Sequence, residues 1–449
     1  MHRKLLPLLG LLALAGIATP AAAQDQPTGI RLSGPVNMQR PLLAVRPFAG
    51  AAPIREAVDS VTRIIHRDLQ YSSRYNMMQM VPQQLHTGEL DYRQWNALNV
   101  VYLVTGELVA GARGYTLTLA AHDVVYGRLV NERRFSLPPA TDADFRMAVH
   151  ALADEIVRWT LNQPGSAATR VTFSRRNSGV NYDLMVVDSD GFGLRRIAGR
   201  GTQLYSPVWS PDGGRILYAL NTDNGWRLVE RDVRTGSERT ISPEAGQIMT
   251  PGYAPDGRKI VLSVMRDAGA DIFEYDVAQQ CCLRRLLAGS SSTITVNGAY
   301  SPDGRQLAFT SNRAGNPAIY VMPAGGGDPS MLSPFSRGSY YTSPSWAPDG
   351  RRVAFHGSWA SRGAFHIMIG DATRPGAPIE QITTRGVNED PSWAPDGRNL
   401  VFKSEGSGQA GLHVIDADTK SMRLLAAGGN LMMPEWSPIL LRASELVAQ

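Results

Sequence analysis

The chain has 449 residues, of which 43% are apolar and 19% are charged, with a formal net charge of +5. This length exceeds one ordinary domain and the composition is globular, so we expect two domains. The basic excess is weak and scattered along the chain, which argues against nucleic-acid binding.

The N-terminus has the pattern of a secretory signal over residues 1–23. A basic start is followed by an apolar stretch and by a small-residue cleavage site between Ala23 and Gln24. No later stretch approaches the eighteen apolar residues of a membrane span. We therefore expect export, cleavage after Ala23, and a polar extended arm over residues 24–38.

Residues 39–163 are predicted to form a small α/β domain. Strands are expected at 41–45, 77–81, 100–104, 115–120 and 129–135. Apolar residues at helical spacing predict helices over 54–69 and 142–161, with a short one over 91–98. The predicted linker to the next domain is 162–166.

A repeat of an aromatic residue, a small residue and Pro-Asp-Gly occupies the second half of the chain. Its prolines, Pro211, Pro255, Pro302, Pro348, Pro395 and the truncated copy's Pro438, are separated by 44, 47, 46, 47 and 43 residues. Strand-like segments at this period are typical of four-stranded propeller blades. The repeat therefore predicts an all-β six-bladed propeller over residues 167–440, followed by a C-terminal tail over 441–449.

Each repeat has the chemistry of a tight turn between two strands. Pro sets φ, Asp can accept a backbone hydrogen bond, and Gly takes the positive-φ position. The aspartates are thereby interpreted as turn residues, in preference to calcium ligands or general acids. The structural turn residues are Asp212, Gly213, Asp256, Gly257, Asp303, Gly304, Asp349, Gly350, Asp396 and Gly397.

Ring closure follows from the phase of the repeats. Residues 171–173 and 182–188 look like the second and third strands of a blade, but no Pro-Asp-Gly turn precedes them. We expect residues 431–436 to supply the missing inner strand. Such closure would hide strand edges that otherwise invite aggregation.

The loops that lead into the inner strands must all emerge on one face, around the central channel, because they share one phase of the repeat. Their aromatic, Met and polar residues suit an interface with an apolar centre and a polar rim. We predict a partner-binding propeller mouth made of Tyr205, Met249, Thr250, Val296, Asn297, Tyr341, Thr342, Glu389, Asp390, Met432 and Met433.

The whole mature chain resembles the TolB family, the periplasmic propeller component of the Tol-Pal system. The resemblance rests on the exported α/β-plus-propeller architecture, the repeats, the terminal Trp436-Ser437-Pro438, Arg40-Pro41, and segments 95–107 and 182–191. The sequence departs from the family pattern at 162–169, at 247–250 and in the arm. The resemblance implies a non-enzymatic adaptor that binds the lipoprotein Pal through the mouth and TolA through the arm, supporting outer-membrane integrity and constriction at division.

Two other classes of function share features with this chain. Similar repeats cap peptidases, but the Gly-x-Ser-x-Gly elbow of their hydrolase domain is absent from the sequence, and no room is expected for that domain after Pro438. A small-molecule or carbohydrate binder is the third possibility, with Glu389 and Asp390 as the first residues to suspect.

Neither a cofactor nor a metal site is predicted. His356 and His366 fall within one blade and are interpreted as two facing structural histidines. The adjacent Cys281 and Cys282 are expected to be two partly buried thiols, because neighbouring residues seldom reach ordinary disulfide geometry.

Overall fold

The computed structural model describes residues 30–32, 40–179, 181–222, 225–241, 247–360, 363–406 and 408–448. The predicted signal, its cleavage site at Ala23 and Gln24, and most of the arm lie outside these residues. In the described part, the arm contributes one short strand, β1 (Ile30–Leu32). None of the described helices is long and apolar enough to cross a membrane.

The first domain is a mixed sheet with helices on both faces. Its strands lie in the order β4-β2-β5-β6-β7, with β3 beside β5. Strand β2 pairs in parallel with β4 and β5. Strand β6 pairs antiparallel with β5 and with β7. The elements are β2 (Leu42–Val45), β3 (Ala49–Gly50), α1 (Arg55–Tyr71), β4 (Asn76–Met77), α2 (Tyr92–Asn96), β5 (Tyr102–Gly111), β6 (Gly114–Asp123), β7 (Arg128–Leu137) and α3 (Phe145–Leu161). Short 3-10 helices lie at Ala52–Ile54 and Gln83–Leu85.

Helices α1 and α3 cover one face of this sheet, as their apolar spacing predicts. Val61, Ile65 and Leu69 of α1 are fully buried against the same core as Leu152 and Ile156 of α3. The opposite face is covered by α2, whose Trp95 packs on the sheet. Two predicted strands have different limits: β4 has two residues instead of five, and β5 continues to Gly111.

Six blades follow, each an antiparallel meander. Their strands are β8 (Arg170–Ser178), β9 (Asn181–Asp188), β10 (Arg195–Trp209), β11 (Arg215–Thr222), β12 (Gly225–Asp232), β13 (Glu238–Ile241), β14 (Ile248–Tyr253), β15 (Lys259–Met265), β16 (Ala270–Asp276), β17 (Cys281–Arg285), β18 (Thr295–Tyr300), β19 (Gln306–Ser311), β20 (Ala318–Pro323), β21 (Ser330–Met331), β22 (Tyr340–Trp346), β23 (Arg352–Ser358), β24 (His366–Asp371), β25 (Ile379–Gln381), β26 (Val387–Trp393), β27 (Asn399–Glu405), β28 (Gly411–Asp416), β29 (Met422–Ala427) and β30 (Leu431–Trp436). Strand β10 is long enough to serve as the outer strand of blade one and the inner strand of blade two.

The ring closes as the repeat phase predicts. Strand β30 pairs antiparallel with β8, with Trp436 opposite Val171 and Leu431 opposite Arg175. The Trp436 indole Nε1–H also donates to Thr169 Oγ1 at 2.8 Å. Blade one is therefore made of β30, β8, β9 and the first half of β10, and blade six of β26 to β29.

The repeat turns have the predicted geometry. Their glycines hold φ between 65° and 70°. Each turn aspartate accepts a hydrogen bond from the backbone N–H two residues later, at 2.8–3.0 Å. Both findings confirm the interpretation of these residues as turn residues.

The two cysteines differ from the prediction. Cys281 and Cys282 form a disulfide between adjacent residues at the start of β17, with their Cα atoms 3.8 Å apart. The expectation of free thiols is thus wrong. Cys282 adopts a left-handed conformation beside the bond, with φ of 67°.

The C-terminal tail returns to the first domain. A 3-10 helix at Ala443–Leu446 packs on α3, and Val447 forms a bridge with Phe135 of β7. The tail thereby links the end of the propeller to the core of the α/β domain.

Candidate functional site: the central channel and its mouth

Each blade carries one β-bulge at the same place in its inner strand. The pairing register between the inner strand and the second strand shifts there in every blade. Three residues before the repeat aromatic, the chain adopts a left-handed conformation with φ between 43° and 57°. A bulge re-aims side chains, and these six residues line the channel: Ser206, Thr250, Asn297, Ser343, Asp390 and Met433.

Hydrogen bonds connect these bulge residues from blade to blade. The Asn297 N–H donates to Thr250 Oγ1 at 3.4 Å and its amide Nδ2 to Ser343 Oγ at 3.4 Å, and the Ser343 hydroxyl donates to Asp390 Oδ1 at 3.1 Å. Across the closure of the ring, the Ser206 N–H faces the Met433 sulfur at 3.4 Å. The bulges therefore form a polar ring of fixed geometry around the channel.

The channel has a volume of about 490 Å³. Its charged lining residues, Asp390 and Glu435, are both acidic. Glu435 stands where the other inner strands have Val208, Gly252, Ala299, Ser345 and Ser392. Burial raises the pKa of the Glu435 carboxyl to about 7, against a hydrogen bond with Ser392 that lowers it. Small neighbours and one long acid thus shape the channel interior.

Four of the predicted mouth residues, Thr250, Asn297, Asp390 and Met433, line the channel. Tyr205, Met249, Val296, Thr342, Glu389 and Met432 lie one strand position earlier, half-buried or, for Thr342, buried beside it. Tyr341 must be corrected: it is fully buried against Phe355 in the core, where it cannot meet a partner without unfolding. Sequence reasoning missed Ser206, Ser343 and Glu435, although the first two share the position of Thr250 before a proline.

The outer rim of the mouth is chemically divided. Six residues before the repeat aromatic, blades four, five and six expose Ile294, Tyr340 and Val387, at 42%, 42% and 39% of their surface. The equivalent residues of the other blades are Gln203, Gln247 and Asn430. We call Ile294, Tyr340 and Val387 the apolar half-rim; neighbouring exposed apolar residues are the usual mark of an interaction surface.

His356 supports the mouth, and His366 does not pair with it. The Asp390 N–H donates to His356 Nδ1 at 2.9 Å, and burial lowers the pKa of this imidazole. His356 lies opposite Ile367 whereas His366 lies opposite Gly357, so the two rings emerge on opposite faces of the sheet. The interpretation as facing histidines is therefore wrong.

The α/β domain packs on the opposite face of the ring, where the Pro-Asp-Gly turns lie. The Ser166 hydroxyl donates to Asp396 Oδ2 at 2.9 Å, and Tyr71 of α1 stacks on Arg423 of β29 at 4.3 Å. None of the described α/β-domain residues lines the channel. The mouth is thus left uncovered by the first domain.

Among the described residues, Asp68, His150 and Asp190 form a buried group with donor atoms that metal ions use. Arginines already pair with Asp190, through Arg146 at 2.5 Å and Arg67 at 3.3 Å. The charge of that carboxylate is therefore balanced by the protein itself.

The fold and the site define a two-domain β-propeller protein with a polar channel that runs from the bulge residues to the repeat turns and whose charged lining residues are acidic. The family model of the TolB beta propeller domain matches residues 160–440, and that of the TolB amino-terminal domain matches residues 28–130. The chain belongs to the TolB family.

Individual relatives agree with this assignment. The chain is 31% identical over 210 residues to the Tol-Pal system protein TolB of Methylococcus capsulatus, covering 45% of this chain and 48% of the relative. It is also 31% identical over 253 residues to that of Thioalkalivibrio sulfidiphilus, covering 55% and 56%. The chain spans about half the length of the curated relatives it matches. The crystal structure of TolB from Acinetobacter baumannii superposes with a TM-score of 0.76 at 22% identity, over 90% of this chain and 98% of that one, which shows the shared fold.

Proposed function

We propose that this chain is a non-enzymatic periplasmic adaptor of the Tol-Pal system. Its mouth would bind the lipoprotein Pal and its arm TolA, supporting outer-membrane integrity and constriction at division. Membership of the TolB family supports this role, since the relatives are named Tol-Pal system proteins. We propose one partner for the arm and another for the propeller. The domains are the signal (1–23), the arm (24–38), the α/β domain (39–163), the propeller (167–440) and the tail (441–449).

The observation that carries the proposal is the uncovered mouth with its divided rim. A partner that covers it would bury the apolar half-rim, and the polar ring of bulges would supply hydrogen bonds beside it. Asp390 adds negative charge, Glu435 adds more when it is deprotonated, and none of the described lining residues is a cation. A partner surface with apolar side chains around a basic group would be complementary to this arrangement.

The arm has a separate location, which supports a separate partner. Strand β1 pairs in parallel with β25, the outermost strand of blade five, with Ile30 opposite Ile379. This places the described part of the arm on the outer wall of the ring. An extended segment held by three residues at a sheet edge suits exchange with a partner strand.

Calorimetric titration of purified Pal and of the TolA C-terminal domain tests these assignments. Thr250→Arg places a bulky cation in the polar ring and should weaken Pal binding by at least about tenfold, the usual size of an interface lesion. Ala278→Arg is the matched control, because Ala278 is exposed on the same blade at the opposite face. Normal Pal binding by Thr250→Arg would contradict the mouth assignment.

Two further variants separate surface from core. Met432→Ala is expected to weaken Pal binding with little change in melting temperature. Tyr341→Ala is expected to lower the melting temperature as well, because Tyr341 is fully buried.

Deleting residues 24–38 should reduce TolA binding and leave the propeller melt unchanged; unaltered TolA binding would contradict the role of the arm.

Periplasmic localisation has its own test. N-terminal sequencing of the chain recovered from a periplasmic fraction should begin at Gln24. A chain that keeps residues 1–23, or that stays in the cytoplasm, would contradict export.

A small-molecule binder is the second candidate, favoured by the channel volume of about 490 Å³, which is of ligand size. Glu389 does not line the channel, so Asp390 and Glu435 would recognise such a ligand. Two results together would favour this candidate. A metabolite would bind the purified chain but not the Glu435→Gln variant, and Pal would not bind the parent chain. Hydrolytic activity in the purified chain would contradict the adaptor proposal.

A further inference from the structure

A buried ionic cluster joins the α/β domain to blade one, on the face away from the mouth. The α/β domain contributes two residues from α1 and two from α3, and the propeller contributes the end of β9, the following turn and the start of β8. The members are Arg67, Asp68, Arg146, His150, Asp188, Asp190 and Arg170.

His150 lies at the centre of this cluster and is fully buried. Its Nδ1 is 2.7 Å from Asp68 Oδ2, within the same domain. Its Nε2 points across the junction, 4.0 Å from Asp188 Oδ2 of the propeller, and has no hydrogen-bond partner. One ring nitrogen is therefore held by the α/β domain, and the other faces a carboxylate of the other domain.

The protonation state of this imidazole determines whether the contact attracts or repels. Neutral His150 that donates from Nδ1 to Asp68 turns a lone pair at Nε2 toward the Asp188 carboxylate. Protonated His150 carries N–H groups on both nitrogens and attracts both carboxylates. Because the group is buried, an unpaired polar atom at Nε2 is costly.

The other charges at the junction hold the carboxylates in place. Arg146 pairs with Asp190 at 2.5 Å and approaches Asp188 at 3.6 Å; Arg67 pairs with Asp190, and Arg170 pairs with Asp188 at 3.0 Å. Arg195 of β10 lies beside Asp188, and Asp154 of α3 and Arg423 of β29 are further charged neighbours. Asp154 accepts the N–H groups of Ala167 and Ala168, and Arg423 donates to Ser189 O, so both are engaged elsewhere.

We propose that the junction between the α/β domain and the propeller is a proton-dependent clamp, in which protonated His150 bridges Asp68 of the first domain to Asp188 of blade one. The clamp holds the two domains together in mildly acidic medium and relaxes as the medium becomes alkaline. It acts on the face opposite the mouth, and it is independent of the partner proposed there.

The direction of the pH dependence follows from the surroundings of the ring. Burial lowers the pKa of His150, but Asp68, Asp190 and Asp188 outweigh it and raise the pKa above the ordinary value of about 6.5. A histidine with a raised folded-state pKa contributes its full stabilisation below the unfolded pKa. That stabilisation is lost as pH rises from about 6.5 through the raised value.

Titration of the histidines by NMR in the full mature chain tests the clamp directly. The His150 signal, assigned by through-bond correlation of its ring to its backbone in the isotope-labelled parent chain, should titrate above the ordinary histidine value. Asp188→Asn should lower that midpoint. Asp183→Asn is the matched control, because Asp183 is a buried aspartate of the same strand that pairs with Arg175 and Arg196; it should leave the midpoint unchanged.

A profile of melting temperature from about pH 5.5 to about pH 8.5, which spans the range in which histidines titrate, supplies the second readout. The difference between the parent chain and His150→Gln should be largest at low pH and shrink as pH rises. His122→Gln, at a buried histidine whose pKa burial lowers, should show no such convergence. A His150 midpoint at or below the ordinary value, or an equal midpoint in Asp188→Asn, would overturn the proposal, even where His150→Gln fails to fold.

Discussion

At the residue scale, the choice between Tyr and Trp at the aromatic position of each repeat depends on a residue in the third strand of the preceding blade. Where the third strand of the preceding blade carries Glu230 or Glu274, the aromatic is Tyr253 or Tyr300, and its hydroxyl donates to that glutamate at 2.6 or 3.1 Å. Where that strand carries an aliphatic residue, the aromatic is Trp, packed on it. These pairs are Val186 with Trp209, Val321 with Trp346, Ile369 with Trp393 and Val414 with Trp436.

This pairing makes the choice of aromatic testable. Tyr253→Phe removes one hydrogen bond to Glu230 but leaves the ion pairs with Arg215 and Arg239. We expect a loss of about 1.5 kcal/mol in the free energy of unfolding, the lower end for a bond to a charged group. Chemical denaturation measures it, with Tyr126→Phe as control, since Tyr126 is 76% exposed. Equal effects of the two variants would contradict the pairing.

Glycine in the repeat turn is a second residue-scale requirement. Gly350 holds φ of +67°, and a Cβ added there meets no atom within 4 Å. Gly350→Val should therefore destabilise the blade by roughly 1–3 kcal/mol through backbone strain alone. Gly325→Val is the matched control, because Gly325 also lies in open space without positive φ. A melting temperature that falls no more in Gly350→Val than in the control would argue against strain.

At the element scale, one strand decides whether the ring holds. Strand β30 pairs with β8, and the backbone N–H of Trp436 donates to Ser392 Oγ of β26 at 3.0 Å. This strand therefore connects blade six to blade one. Its six residues carry the inner wall of the first blade. Without them, two sheet edges would be open.

Deleting all residues after Asn430 should abolish the cooperative melt of the propeller and cause aggregation. Differential scanning calorimetry and light scattering measure both effects. A shorter deletion, of the tail residues 441–449, keeps β30 and should preserve the propeller transition. If the longer deletion melts as the shorter one does, ring closure does not depend on β30.

At the scale of the whole molecule, further contacts join the two domains on the same face as the Ser166–Asp396 bond and the Tyr71–Arg423 contact. The ionic cluster around His150, the bonds of Asp154 to Ala167 and Ala168, and the returning C-terminal tail all lie away from the mouth. Ala443 of the tail is 4% exposed within the core of the α/β domain. The tail therefore completes a core that belongs to residues far earlier in the chain.

Removing the tail residues 441–449 should destabilise the α/β domain more than the blades. Hydrogen exchange in α3 and β7 should accelerate by about tenfold or more, because a cooperative unit loses packing and one bridge to Phe135. Amides of blades three to five serve as the internal control and should keep their protection. Uniform acceleration across both domains would show that they unfold as one unit.

The sequence by itself determined the six-bladed ring, its turns and its closure, because these depend on local chemistry repeated at a constant period: Pro-Asp-Gly turns, β-prone runs and the phase of residues 431–436. It also placed Thr250, Asn297, Asp390 and Met433 at the channel. Tertiary structure decided which residues beyond each bulge point inward, since a bulge interrupts the simple alternation of a strand, and Glu435 lines the channel just after its bulge. Tyr341 lies before its bulge, at the buried position that Leu204, Ile248 and Leu431 occupy in their blades, so the strand register assigns it to the core. The disulfide at Cys281 and Cys282, the tail against Phe135 and the His150 cluster likewise depend on backbone conformation or on contacts between distant segments, which composition and spacing do not encode.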